Sequence, residues 1–168
     1  MKPNAAHLAI AGLESSHSVV VLTQNIDGLH GRAGSSDTIE IHGTLEKRYC
    51  MRCGKPADTA DRQVPPRCAH CGGVVRPAVV LFGEQLPAAA IERLYDELDT
   101  GFDIVFIIGT TAVFPYIAEP VLSAARKGVP TVEINPARTR LSASVNWHLP
   151  VGATQAMTAI CAAHDLPK

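Results

Sequence analysis

Four of the five cysteines in this 168-residue chain, Cys50, Cys53, Cys68 and Cys71, form two C-x-x-C pairs separated by fourteen residues. Each pair can turn two thiolates onto one metal ion. Two pairs at this separation complete a closed tetrahedral sulfur shell, the donor set of structural zinc. With all four positions taken by sulfur, none is left for water or substrate, so the expected Zn2+ holds structure and does no chemistry. Two disulfides, or four unrelated buried thiols, are the other meanings of the same spacing. The chain opens Met1-Lys2-Pro3-Asn4 without an apolar leader, so an oxidising compartment is not indicated and a soluble, cytoplasmic protein is expected. Cys161 stands apart and reads as a small core residue.

A hydrophobic content of 46% fills one ordinary core and a small satellite. The net charge of -1 gives no global attraction to nucleic acid or acidic lipid. Residues 46–76 differ locally. Lys47, Arg48, Arg52, Lys55, Arg62, Arg67 and Arg76 outweigh Glu46, Asp58 and Asp61 there, seven against three, or +4. A solvated face explains such a run more simply than a nucleic-acid patch. The apolar run over residues 104–118 is too short to span a bilayer and is broken by Gly109, Thr110, Thr111 and Pro115.

Periodicity predicts helices over residues 3–15, 87–98, 115–127 and 153–163. Short apolar runs predict strands over 19–22, 39–43, 103–109 and 131–136, with a weak one over 145–149. Strands alternating with helices mean an α/β fold, a Rossmann-like parallel sheet covered on both faces. The cysteine segment, rich in Pro and Gly, is an inserted zinc-ribbon module over residues 46–76, and residues 1–45 and 77–168 make the main domain.

Ligands of such sheets bind beyond the carboxyl ends of the strands. Those ends are Thr23 to Asp27, His42-Gly43, Gly109-Thr110-Thr111 and Asn135-Pro136, all small, polar or titratable. Their convergence would make one site.

The same residues resemble the sirtuin family of NAD-dependent protein lysine deacylases. The likeness is carried by T-Q-N-I-D-x-L-H-x-x-A-G over residues 23–34, by His42-Gly43, by the cysteine quartet, by R-P-x-V-V-x-F-G-E over residues 76–84, by Gly109-Thr110-Thr111 and by Ile134-Asn135-Pro136. The resemblance implies removal of acyl groups from lysines of protein substrates, with nicotinamide and O-acyl-ADP-ribose as products. It implies that Gln24, Asn25, Ile26 and Asp27 line the nicotinamide and ribose pocket. His42 would be the general base, taking a proton from the cofactor ribose hydroxyl after nicotinamide has been expelled, a task suited to an imidazole near neutral pH. Gly109, Thr110 and Thr111 would approach the NAD closely, Asn135 would bond the adenosine ribose and Ala153 would touch the adenine. Val80, Phe82 and Gly83 would wall the acyl-lysine tunnel and pair with the peptide as an added strand.

Three departures stand beside the likeness. No two of the thirteen glycines are separated by a single residue, so the G-x-G of a dinucleotide loop is absent, and the family's opening strand and glycine-rich loop have no counterpart. An N-terminally truncated sheet follows. In the strand order 3-2-1-4-5-6 that first strand is central, so residues 19–22 must pair directly with residues 104–108 or leave a slot open. A truncated binding module without turnover is the alternative function. Val113-Phe114-Pro115 also follows Gly109 one residue earlier than the family's V-Y-P, which bears on peptide register. Finally, no Tyr and Arg pair of the type that favours negatively charged acyl groups is evident.

Overall fold

The computed structural model describes residues 1–57 and 64–163, so Asp58, Asp61 and Arg62 of the basic segment lie outside the described residues. Asn4 starts the first helix, α1 (Ala5–Leu13), by accepting from the amides of Ala6 at 3.0 Å and His7 at 3.2 Å. That satisfies two donors a helix start leaves orphaned. After β1 (Val21–Thr23), the short α2 (Leu29–Ala33) is fitted between Gly28 and Gly34, both left-handed, and leads into β2 (Thr38–Glu40). The strand expected over 39–43 ends at Glu40. Ile41 and His42 form a turn, and β3 (Gly43–Cys50) leaves it as a separate strand, because Gly43 takes φ +74 and its position abuts the carbonyl of Ala78.

β3 pairs antiparallel with β4 (Val75–Val79), with a register break between Thr44 and Arg48. The remaining elements are α3 (Ala88–Thr100), β5 (Val105–Ile108), α4 (Pro115–Arg126), β6 (Thr131–Ile134), β7 (Trp147–Leu149) and α5 (Ala153–Ala163).

β1 and β2 pair in parallel, and β5, β6 and β7 form a separate parallel sheet in that order. β1 and β5 do not pair with each other. Val21 and Thr23 bond toward β2, so the main-chain groups of Leu22 face the opposite way. Val105 and Gly109 bond toward β6, so those of Phe106 and Ile108 do the same. Of the two outcomes expected for the central position, the open slot is the one observed.

One face of both half-sheets is closed by a shared core. Ile39 and Ile41 pack with Ile107, with Leu94 of α3 and with Ile117 and Val121 of α4. Ile41 is wholly buried, and burying such a side chain contributes about 1.5–3 kcal/mol. On the other face, Ala6 and Ala9 of α1 meet Met157 and Cys161 of α5 over Val132 and Ile134. Cys161 is thus the small core residue expected. No helix among the described residues is long and apolar enough to cross a membrane.

Candidate functional site

The strand ends meet through side chains. Gln24 Nε2 donates to Thr110 Oγ1 at 3.0 Å, and Asn135 Nδ2 donates to the carbonyl of Thr110 at 3.1 Å. Three tips, those of β1, β5 and β6, are thereby tied around residue 110. Ala112 accepts a left-handed φ of +47 in the same loop while its amide bonds Thr110 Oγ1 at 3.1 Å. A side chain in that conformation stores strain, which is concentrated at functional sites. Gly109, at φ +63, has open space where a Cβ would stand, so a ligand can approach its backbone.

His42 joins the cluster through the β2–β3 turn. Its Nδ1 lies 3.1 Å from the carbonyl of Gln24, and its Nε2 lies 2.7 Å from the hydroxyl of Tyr116. Phe114 and Tyr116 stack on each other with centroids 5.3 Å apart, and both present to the imidazole edge-on. Val80 fixes the turn from the far side, its amide donating to the carbonyl of His42 at 2.9 Å. Beyond Val80, Phe82 is wholly exposed and Gly83 takes φ +85. Arg76 grips this segment, donating to both carboxylate oxygens of Glu84 at 2.6 and 3.1 Å and to the carbonyl of Val79 at 2.8 Å. That guanidinium holds the Glu84 carboxyl below its ordinary range.

Asn25 and Asp27 line a cavity of about 240 Å3 with His30, Ser35, Thr38 and Glu40. His42 does not line it and meets the loop through the Gln24 carbonyl. Three atoms of cavity-lining residues, His30 Nδ1, Ser35 Oγ and Thr38 Oγ1, are buried without a hydrogen-bond partner. Burial, reinforced by the His7 ring tilted against it with centroids 4.7 Å apart, holds the His30 imidazole below its ordinary pKa. Asp27 is turned partly inward on its own loop, Oδ1 accepting from the Leu29 amide at 3.0 Å. Ile26 contributes its carbonyl to the amide of Leu45 at 2.9 Å. Thr111 is exposed beside the cluster, whereas Ala153, at the start of α5, packs against the Val132 and Ile134 core.

The four cysteines come together as expected, their Sγ atoms all within 4.8 Å of one another. Cys50 and Cys71 are 3.5 Å apart and Cys53 and Cys68 are 3.9 Å apart. Zinc-sulfur bonds of about 2.3 Å in a tetrahedron require sulfurs about 3.8 Å apart, so the set fits zinc. All are free thiols, so the disulfide alternative fails. Gly73 is required beside them, since a Cβ there would stand 2.9 Å from Cys50 Sγ and 3.3 Å from Cys71 Sγ. The backbone of Cys53 leads the contacts that lower the Cys50 thiol to about 6. At Cys71 the Gly73 amide pulls down, but the Cys50 sulfur and burial outweigh it and push the thiol up to about 11. A divalent ion would relieve that competition by holding every sulfur as thiolate.

Tyr116, Ser35 and Thr38 lie outside the motifs, and the motifs that contain His30, Arg76 and Glu84 do not say that Arg76 grips Glu84. Only the early Val113-Phe114-Pro115 spacing hints that the residue after Pro115 sits differently.

The profile of the Sir2 family matches residues 1–115. NAD-dependent protein deacylase 2 of Pseudomonas aeruginosa is 53% identical over 152 residues, covering 86% of this chain and 59% of that protein. The protein of the same name from Pseudomonas syringae pv. tomato is 47% identical over 163 residues, covering 93% and 66%. The chain therefore spans about three-fifths to two-thirds of the length of these relatives. Among solved structures, a Sir2 homolog in complex with NAD superposes with a TM-score of 0.88 at 34% identity, covering 96% of this chain and 64% of that one. A Sir2 bound to an acetylated peptide superposes at 0.89 and 31% identity, covering 98% and 71%. With the Sir2 profile over residues 1–115 and relatives up to 53% identical, this chain belongs to the Sir2 family.

Proposed function

We propose that the chain carries the chemistry of an NAD-dependent protein lysine deacylase, with His42 as its general base and Zn2+ as a structural brace. The observation that carries this is the His42 imidazole joined, through Gln24, to strand tips that meet at Thr110. NAD supplies the electrophilic sugar carbon and the nicotinamide leaving group when bound. Asn25 and Asp27 would orient a small amide-bearing ring, since a cavity of about 240 Å3 suits a head group and not a whole dinucleotide. Gly109, Thr110, Thr111 and Asn135 would receive the sugar nearer the adenine, and Ala153 would border the base. His42 would accept the hydroxyl proton at Nε2, Nδ1 being turned to the Gln24 carbonyl.

The partner is an acylated lysine peptide. The amides of Phe82 and Gly83 have no intramolecular partner among the described residues, which supports pairing with an added strand. Exposed Phe82, Val113 and Phe114 supply apolar walls for the acyl chain. The module over residues 46–76 would serve only to brace the turn carrying His42. Four clustered free thiols support a reducing, cytoplasmic setting.

The test is formation of deacetylated product from an acetyl-lysine peptide and NAD. Turnover that His42→Ala abolishes is expected, and turnover that survives the substitution refutes the assigned base.

A further inference from the structure

We propose that Tyr116 is a second catalytic residue, a proton relay through which a sugar hydroxyl reaches Nε2 of His42. This rests on the function proposed above. The Gln24 carbonyl can only accept, so the Nδ1 that faces it at 3.1 Å carries the proton and Nε2 holds the lone pair. Tyr116 Oη, 2.7 Å from Nε2, must then be the donor. Burial raises the pKa of the phenol and keeps its proton in place. One lone pair accepts one such donor. A sugar hydroxyl therefore meets Nε2 only if the tyrosine leaves or if the proton passes through it.

The packing favours passage. The Tyr116 ring is stacked on Phe114 at an interplanar angle of 12° and stands edge-on to His42 at 78°, so it is braced on two sides. It sits in the first turn of α4, directly after Pro115. The turn is held by the amides of Ile117 and Ala118, both donating to the Phe114 carbonyl at 3.0 Å. The phenol oxygen keeps a lone pair for an incoming hydroxyl. In the transfer the Oη–H bond breaks as Nε2–H forms, and the sugar O–H bond breaks as a new Oη–H forms. Tyr116 ends neutral, His42 ends as imidazolium, and the sugar oxygen keeps the electron pair.

Tyr116→Phe preserves the stacked ring and removes the relay. In the unligated chain labelled with 15N-histidine, the His42 Nε2 resonance should move downfield in the variant, as an acceptor nitrogen does on losing its donor. A resonance that stays where it is overturns the relay. With NAD and an acetyl-lysine peptide, deacylation should fall about 100-fold or more. The KM for NAD should hold, and so should nicotinamide exchange into NAD, which precedes the proton transfer and shows the variant to be folded. Adding Tyr116→Phe to His42→Ala should cost nothing further, because the two groups act as one unit. Deacylation at the parent rate, or a lowered KM for NAD, overturns the relay and makes Tyr116 a blocking lid. An unsubstituted chain with neither exchange nor deacylation fails the functional proposal itself and takes the relay with it, an outcome distinct from the selective loss.

Discussion

Glu133 is a carboxylate with no exposure at all, in the middle of β6, and it marks where the sheet should be most sensitive to one atom. Both its oxygens accept hydroxyl protons, from Thr139 and from Ser142. Those residues form the turn that returns Leu141 to the core, with Thr139 N bonded to Ser142 Oγ at 2.8 Å and Leu141 N to Thr139 Oγ1 at 3.1 Å. The segment leading into that turn starts at Asn135, whose side chain is held by the Ala137 amide at 3.1 Å and holds Thr110 in turn. Each hydroxyl left without its acceptor costs about 1–3 kcal/mol, so Glu133→Ala should lose about 2–6 kcal/mol. Glu133→Gln keeps one acceptor and should lose about half as much, roughly 1–3 kcal/mol. Against a total stability of about 5–15 kcal/mol, the first approaches unfolding and the second does not. Urea unfolding at pH 7 with zinc present measures both, and amide exchange should show Thr139 and Leu141 opening in the glutamine variant while Gly72 stays protected. Variants within about 0.5 kcal/mol of the parent would refute the buried-acceptor account.

Gly43→Ala should destabilise by more than the roughly 1–3 kcal/mol of a left-handed alanine, because its Cβ would stand 2.0 Å from the Ala78 carbonyl; Gly31→Ala, with open space, should stay near neutral in the same melt. Chelation, or Cys68→Ser, should release one zinc ion per chain and abolish exchange protection at Gly54 and Gly72 while helical ellipticity persists; protection that survives without metal would count against the brace. Because Arg76 depresses the Glu84 pKa in the folded chain, their clamp is complete above the ordinary carboxylate value of about 4.3 and is lost as pH falls through the lower folded value. Leu81 amide protection, which depends on Glu84 Oε2 at 2.9 Å, should follow that acid limb, and Glu84→Gln should remove it and raise the KM for peptide.

How much was legible follows from what each element buries. The β5, β6 and α4 segments announced themselves because they fill the cores, Ile107, Ile134 and Val121 being 4%, 0% and 4% exposed. β3 was invisible as a strand because Leu45 to Arg48 are all exposed, the ladder being closed by β4 and the sulfur cluster instead of by an apolar face. α2 has only five residues between two glycines, too few for a period to register. The metal quartet was readable because its chemistry is local in sequence. Tyr116 was not, since its partner lies 74 residues away and nothing in the sequence says which tyrosine meets which histidine.

The open slot changes what holds the site together. In a continuous sheet the ladder spaces neighbouring tips at about 4.8 Å per strand. Here no ladder crosses from β1 to β5, and Gln24 bonded to Thr110 ties those two tips, whereas β5 and β6 are joined by their own ladder as well as by Asn135. The spacing is set instead by the helical layer, since Leu94, Ile117 and Val121 pack at once on Ile39, Ile41 and Ile107. His42 has a further tether in β3, which follows it directly from Gly43 to Cys50 and pairs with β4 on either side of the register break between Thr44 and Arg48. Metal at Cys50 would fix one end of β3, while the Val80 and Leu45 amides bond the carbonyls of His42 and Ile26 at the other. On the function proposed above, a zinc ion that does no chemistry would still bear on the proton transfer, by fixing the far end of the strand whose first residue follows His42.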